Sequence, residues 1–210
     1  MYFYYYTIII YLYFYGQRRK KVTDRRIRKT RTNVFNALSS LLLSRESPDS
    51  ISVTELCEKA VISKSTFYLH FMDIYDCREQ WADEYVESLI DAAGGLLYED
   101  ILKDPKKFSL GLVLAADSSR EICRRLSPEN CEPKNAINIK KRLIDKVIEK
   151  NGFEPGVNLS EILNLTLLIG GIFDFYAYSP VTASRQRIAE EVEKKIKAVI
   201  SPASAETPEK

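Results

Sequence analysis

Residues 52–71 read SVTELCEKAVISKSTFYLHF, and this stretch decides the fold that the sequence predicts. Ser52 and Glu55 form an S-x-x-E pattern, which is typical of the start of a helix. After two β-branched residues, Ser63 can cap a second short helix over residues 64–71. Two short helices joined by a tight turn predict a helix-turn-helix.

The second helix of this unit is too polar to be a core helix. Phe67 and Phe71 are four residues apart and share one face, so we expect them to pack inward. A helix of about two turns fits the major groove of duplex DNA, with its first residues facing the base edges. The candidate DNA contacts here are Thr54, Ser63, Lys64, Ser65, Thr66, Tyr68 and His70. For each of these residues the alternative is an ordinary solvated surface position, and for His70 it is a partly buried surface histidine.

Charge is sorted along the chain of 210 residues. Residues 17–71 carry 12 Lys and Arg against 5 Asp and Glu, whereas residues 72–210 carry 19 against 24. A basic front of this kind favours a polyanionic partner. Basic residues crowd the first turns of a helix predicted from residue 25 to 43, where they oppose the helix dipole. We therefore expect Arg28 and Arg31 to contact DNA, the alternative being a solvated helix end.

In two blocks the chain resembles the TetR/AcrR family of one-component bacterial transcriptional regulators. The blocks are RRIRKTRTNVFNALSSLL from residue 25 and ISVTELCEKAVISKSTFYLHFMDIYD from residue 51, and the similarity spans about residues 23–85. The form FMDIYD is similar to a Firmicutes-type subgroup that includes the dihydroxyacetone-kinase regulator. Two positions depart from the family pattern: Val61 stands where glycine is usual, and Asp73 where many members have lysine.

The resemblance implies a cytoplasmic, sequence-specific DNA-binding protein that works as a homodimer on a palindromic operator. It implies a repressor that is released when an effector, a small molecule or a protein, binds the C-terminal domain. An N-terminal three-helix DNA-binding domain over residues 22–85 and a helical regulatory and dimerisation domain over residues 86–200 are expected.

Helical periodicity continues through the rest of the chain, without strand-like alternation of useful length. The predicted helices span residues 73–93, 96–103, 106–126, 134–150, 159–178 and 184–200. The sequence therefore predicts an all-α protein in which a C-terminal helical bundle follows the helix-turn-helix domain. We expect the tail, residues 201–210, to be disordered.

The last two predicted helices favour dimerisation. Residues 159–178 are apolar almost all round, so such a helix must bury several faces. Two acidic residues inside that stretch argue against a membrane span. The next helix has one apolar stripe opposite charged residues, so two copies can form a four-helix bundle. The candidate interface residues are Leu168, Ile169, Gly171, Ile172, Tyr176, Ile188, Val192 and Ile196.

The N-terminal residues 1–21 are a hydrophobic and then basic extension. Nine of the 23 aromatic residues of the chain lie between Tyr2 and Tyr15. Three interpretations stay open: a mis-assigned translation start with Val22 as the first residue, a membrane or interfacial anchor, and a structural element. An alternative function uses this segment and the basic front in a helical membrane-associated or protein-interaction module.

Enzyme chemistry has little support in the sequence. The chain holds one histidine, and its four cysteines show no C-x-x-C spacing. No nucleophile–base pair, metal-ligand cluster or phosphate-binding loop is apparent, so we expect no catalytic residues, no metal and no cofactor. Cysteines on apolar faces fit a reducing cytoplasm.

Overall fold

The structure is a computed structural model that describes residues 25–45, 47–132, 136–179 and 181–200. Within these residues the regular secondary structure is helical, as predicted. The helices are α1 (Arg25–Ser44), α2 (Val53–Ala60), α3 (Lys64–Tyr68), α4 (Ile74–Ala92), α5 (Tyr98–Lys103), α6 (Pro105–Arg125), α7 (Ile139–Lys150), α8 (Leu159–Tyr178) and α9 (Arg185–Ile200), with a 3₁₀ turn at Pro48–Ser50. The predicted extension and tail lie outside the described residues.

The chain divides into two compact units. The first contains the described residues up to Ser88 together with Ser118–Arg142, and the second contains Leu89–Asp117 and the described residues from Leu143 onward. The predicted domains, residues 22–85 and 86–200, were defined by position along the sequence. The units are defined by contacts, so a segment from the middle of the chain groups with the N-terminal helices.

Aromatic side chains form the core of the first unit. The ring of Phe71 lies 5.8 Å from that of Phe35 on α1 and 5.1 Å from that of Phe67 on α3. On α4, the buried indole of Trp81 donates a hydrogen bond to the Ser39 hydroxyl at 2.8 Å. This core joins α1, α3 and α4, so the orientation of α3 is fixed by packing and not by its own five residues.

The Ser118–Arg142 segment is held within the first unit by polar contacts. The Asp49 carboxylate accepts a hydrogen bond from the Glu132 backbone N–H at 2.8 Å and lies 3.6 Å from the buried Arg78 guanidinium. Arg142 pairs with Asp83 of α4 at 2.7 Å. These contacts connect the segment to the 3₁₀ turn and to α4, the elements that flank the helix-turn-helix.

Side-chain caps mark the starts of α7 and α6. The periodicity predicted a helix from residue 134, but α7 begins at Ile139, where the Asn138 side chain accepts a hydrogen bond from the Lys141 N–H at 2.9 Å. Asp104 caps α6 in the same way, by accepting a hydrogen bond from the Lys107 N–H at 3.0 Å, and Pro105 occupies the first turn of α6, one residue before its predicted start.

Gly94 and Gly95 follow the end of α4, next to the predicted end of this helix at residue 93. The Gly95 N–H donates to the Ile90 carbonyl at 2.8 Å and the Gly94 N–H donates to the Asp91 carbonyl at 3.1 Å. This pair of bonds is a Schellman motif, and Gly94 has the left-handed backbone (φ 83°) that the motif requires. Glycine suits this position because it has no Cβ to strain.

Helix α8 packs one face into the second unit. Its buried residues are Leu165, Ile169, Phe173 and Tyr176, at spacings of four, four and three. Elsewhere in this unit the α-carbon of Gly111 approaches the Ala93 carbonyl so closely that a Cβ would lie 2.1 Å from its oxygen. The close approach explains why residue 111 is glycine inside a helix, where glycine costs propensity.

One helix in the described part of the chain, α8, is long and apolar enough to cross a membrane by length and composition. Core and interface helices of soluble proteins meet the same two criteria. The acidic residues Glu161 and Asp174 lie within this helix.

Candidate nucleic-acid interface

The first helix of the pair, α2, begins at a capped serine. The Ser52 hydroxyl accepts a hydrogen bond from the Glu55 N–H at 3.2 Å, which confirms the predicted N-cap. The Glu55 carboxylate accepts a hydrogen bond from Arg45 Nε at 2.7 Å, so it also ties α2 to the end of α1. Thr54 is exposed in the first turn of α2, where backbone N–H groups have no partner inside the helix.

The turn between α2 and α3 uses valine where glycine is favoured. Val61 adopts the left-handed conformation (φ 56°, ψ 50°). The Ile62 N–H donates to the Cys57 carbonyl at 3.0 Å and the Val61 N–H donates to the Glu58 carbonyl at 3.2 Å, which is again a Schellman motif. β-branched residues resist positive φ, so these bonds hold Val61 in its conformation at a cost of backbone strain.

Hydroxyl groups organise the start of α3. The Ser63 hydroxyl accepts a hydrogen bond from the Thr66 N–H at 3.1 Å, as predicted for an N-cap. It also lies 2.8 Å from the hydroxyls of both Ser65 and Thr66. Ser63 therefore has a structural role in addition to its predicted DNA contact, and Ser65 is held exposed beside it.

The inner and outer faces of α3 differ sharply. Phe67 and Phe71 are buried, as predicted. Hydrogen bonds from the Leu69 N–H to the Ser65 carbonyl (3.2 Å) and from the Phe71 N–H to the Phe67 carbonyl (3.0 Å) carry the helical spacing past the end of α3. At about 100° per residue, Leu69 lies roughly 160° from both phenylalanines, and Ser65 lies on the same outer side.

Three further predicted contacts are accessible to different degrees. Lys64 is exposed. Tyr68 is 57 % exposed, and its ring is nearly perpendicular to that of Phe67, with the ring centroids 5.4 Å apart. His70 is half-buried, with its ring 6.1 Å from that of Phe71. Lys64 and Tyr68 are accessible to a ligand on this side of the unit, and His70 is accessible in part.

The two arginines predicted from α1 have different surroundings. Arg28 is exposed. Arg31 donates a hydrogen bond to Gln80 at 2.6 Å, pairs with Glu84 at 2.8 Å, and lies over the ring of Phe71 at 5.5 Å. The guanidinium of Arg31 therefore joins α1 to α4, and its DNA contact stays a prediction.

Asp73, the second departure from the family pattern, caps α4. Its carboxylate accepts a hydrogen bond from the Asp76 N–H at 2.8 Å. The Asp76 carboxylate in turn accepts hydrogen bonds from the Gln80 side chain and the Met72 N–H, which lower the pKa of Asp76 in that order of importance. Aspartate at residue 73 therefore supports the start of a helix.

A second surface, which we call the apolar groove, lies between α8 and α9. Its lining residues are Leu167, Leu168, Gly171, Ile172, Phe175, Ala183, Arg187, Ile188, Glu191, Val192 and Lys195. Five of the eight predicted interface residues line it: Leu168, Gly171, Ile172, Ile188 and Val192. The other three, Ile169, Tyr176 and Ile196, are buried within the chain itself, and so are Ile188 and Val192 at the base of the groove.

The α8 face that borders this groove is apolar and open. Leu163 and Leu167 are 53 % and 62 % exposed, and Phe175 is exposed on the same side. A Cβ added to Gly170 or Gly171 would have no neighbour within 4 Å. An exposed apolar stripe of this length is typical of an interface.

The cysteines show no sign of reactivity. Burial raises the pKa of the Cys77 thiol to about 12 and that of the Cys123 thiol to about 11. Both thiols are therefore protonated at neutral pH, and only the thiolate is a good nucleophile or metal ligand. Among the described residues, no group of three or more His, Cys, Asp or Glu side chains is placed to hold a metal ion.

Comparison with known proteins gives little beyond this geometry. No protein-family model matches the chain, and no curated protein matches it. Among solved structures, the chain is similar to the TetR family repressor AlkX from Dietzia sp. strain DQ12-45-1b, which is implicated in the biodegradation of n-alkanes. The identity is 18 %, the alignment covers 81 % of this chain and 96 % of AlkX, and the TM-score is 0.48. A likeness this distant carries no argument about function.

Proposed function

We propose that this protein is a sequence-specific DNA-binding transcriptional regulator that reads duplex DNA with α3. The observation that carries the proposal is the two-faced construction of α3. Phe67 and Phe71 are buried in the core of the unit, whereas Lys64, Ser65 and Tyr68 are exposed on the outside. A helix held by its inner face can enter the major groove without unfolding any part of the core.

Phosphate contacts come from outside α3. Arg28 on α1 supplies an exposed cation, and the first turn of α2 presents backbone N–H groups beside the exposed Thr54. Such groups position a protein on DNA without reading its sequence. Arg31 is a further proposed contact, and we expect it to contribute less than Arg28 because its guanidinium also binds Gln80 and Glu84.

We propose further that the protein is a homodimer joined through the apolar groove and the adjoining face of α8. The support is the open apolar lining from Leu167 to Phe175, which lies beside two glycines that let another backbone approach. Two α3 helices must be about 34–36 Å apart to read one face of a palindrome. Dimerisation would then control affinity, because each half-site alone binds weakly.

The finer assignments extend the same proposal. We propose a cytoplasmic repressor that is released from a palindromic operator by an effector, a small molecule or a protein. Its residues 71–76, FMDIYD, favour the subgroup that includes the dihydroxyacetone-kinase regulator. An effector would act by favouring one of two states of the dimer, with a coupling of about 1–3 kcal/mol.

The test is binding of the purified protein to DNA fragments that flank its own gene, measured by fluorescence anisotropy at several salt concentrations. We expect one fragment to be bound in preference to unrelated DNA of equal length, with affinity falling steeply as salt rises. Equal, weak binding to every fragment would refute the proposal. Binding to anionic lipid vesicles under the same conditions would instead support the membrane-associated alternative.

A further inference from the structure

Leu69 occupies an unusual place for a leucine. It is 83 % exposed, although single exposed apolar residues are ordinary on protein surfaces. Its position is what sets it apart, because it follows the last residue of α3 and its N–H still bonds to the Ser65 carbonyl. Sequence reasoning missed Leu69, because the candidate contacts were selected for polar groups.

The geometry of α3 places Leu69 at the centre of its outer face. Phe67 and Phe71 define the inner face, and Leu69 lies midway between them in sequence, almost opposite both. Ser65 is its neighbour at spacing four on the same side, and it is also exposed. Tyr68 lies to one flank of this line. A ligand that covers the outer face of α3 therefore contacts Leu69 together with Ser65.

The chemistry of the major groove identifies what an apolar side chain can recognise there. Base edges in this groove present hydrogen-bond donors and acceptors, and the apolar group among them is the C5 methyl of thymine. Leucine cannot donate or accept a hydrogen bond, but it can exclude water from a methyl group. The exposed Lys64 and Arg28 supply the charge that brings α3 against DNA.

We propose that Leu69 is a specificity-determining residue that selects thymine at one position of each half-site by packing against its C5 methyl group. This inference rests on the proposed function, since it needs α3 in the major groove. It predicts which group on the DNA is read, which the proposed function alone does not.

The experiment replaces thymines of the preferred fragment, one symmetric pair at a time, by deoxyuridine, which lacks only the methyl group. We expect one pair to weaken wild-type binding by about fourfold for each methyl removed, the effect of losing one buried methyl group. The Leu69→Ala variant should bind the natural fragment less tightly and lose this sensitivity to uracil. The control variant Met72→Ala removes another exposed apolar side chain beside α3, and it should keep the sensitivity to uracil.

The outcomes separate the two proposals. If no uracil pair weakens wild-type binding, or if Leu69→Ala keeps the full uracil penalty, then the inference about Leu69 is wrong while the DNA-binding function stands. If no fragment is preferred at all, the proposed function fails and the inference fails with it. Thermal unfolding of Leu69→Ala should match wild type, because the side chain is exposed, and this rules out a folding defect.

Discussion

Helices α3 and α8 each bury one face and expose another, but their exposed faces have opposite chemistry. The exposed residues of α3 are Lys64 in its first turn, Ser65 and Tyr68, and the exposed Leu69 follows them. The outer face of α8 carries Leu163 and Leu167, and it borders the apolar groove. A polar face is well solvated and can bind a charged ligand reversibly. An apolar face of this length is more stable when another protein surface packs against it. We infer that the first is a ligand surface and the second an assembly surface.

The largest expected effect comes from placing a charge on the α8 face. Gly171→Glu adds a carboxylate where nothing lies within 4 Å, so the fold of the chain should tolerate it. A carboxylate at this position would replace apolar contact between two copies with a charged group that must lose its water, and this would prevent their association. We expect sedimentation to show a monomer, and DNA affinity to fall about 100-fold or more because both half-sites can no longer be bound together.

The matched control for this change is Gly156→Glu, which adds the same side chain in open space outside α8 and the groove. It should leave both the sedimentation coefficient and DNA binding unchanged. If the Gly171→Glu protein sediments as wild type does, then α8 is not part of the dimer interface. The contrast between a ligand surface on α3 and an assembly surface on α8 would then be wrong.

A smaller effect is expected from removing the exposed cation of α3. Lys64→Ala removes an exposed cation, so DNA affinity should fall about tenfold and the salt dependence should decrease by about one counterion per protomer. Lys103→Ala removes the same charge from an exposed site on α5 that pairs with Glu99, and it serves as the control. Equal losses in both variants would mean that net charge, and not the position of Lys64, governs binding.

The smallest effect concerns the turn that orients α3. Val61→Gly removes left-handed strain of about 1–2 kcal/mol, of which about 0.5–1 kcal/mol is offset by the greater freedom of glycine in the unfolded chain. We expect the melting temperature to rise by a few degrees in calorimetry. The Val61→Ala variant keeps a Cβ, so its melting temperature should rise less. A lower melting temperature for Val61→Gly than for wild type would contradict this account of the turn.

The helix-turn-helix could be predicted because its determinants are local. The caps at Ser52 and Ser63 and the Phe67–Phe71 pair are set by residues three or four apart, and the structure confirms each of them. The glycine end of α4 at Gly94 follows the same logic. These signals act through backbone hydrogen bonds within one or two helical turns. The residues responsible are therefore close together in the sequence and can be recognised there.

Other features depend on residues far apart in sequence. Arg31 reads as one more cation in a basic run, but its partners Gln80 and Glu84 lie on another helix. Helix α8 is apolar on nearly every side, so periodicity alone did not separate Ile169, which is buried, from Leu167, which is exposed. Only the packing of the unit decides which apolar face has a partner within the chain.

Val61 also has a genetic consequence. Each of the four valine codons becomes a glycine codon by changing its second base, so relief of the strained turn is a single nucleotide substitution away. A library made by error-prone copying and selected for survival at raised temperature should therefore yield Val61→Gly among its early variants. Residue 61 is a site where heat tolerance can be gained without touching the residues proposed to face DNA.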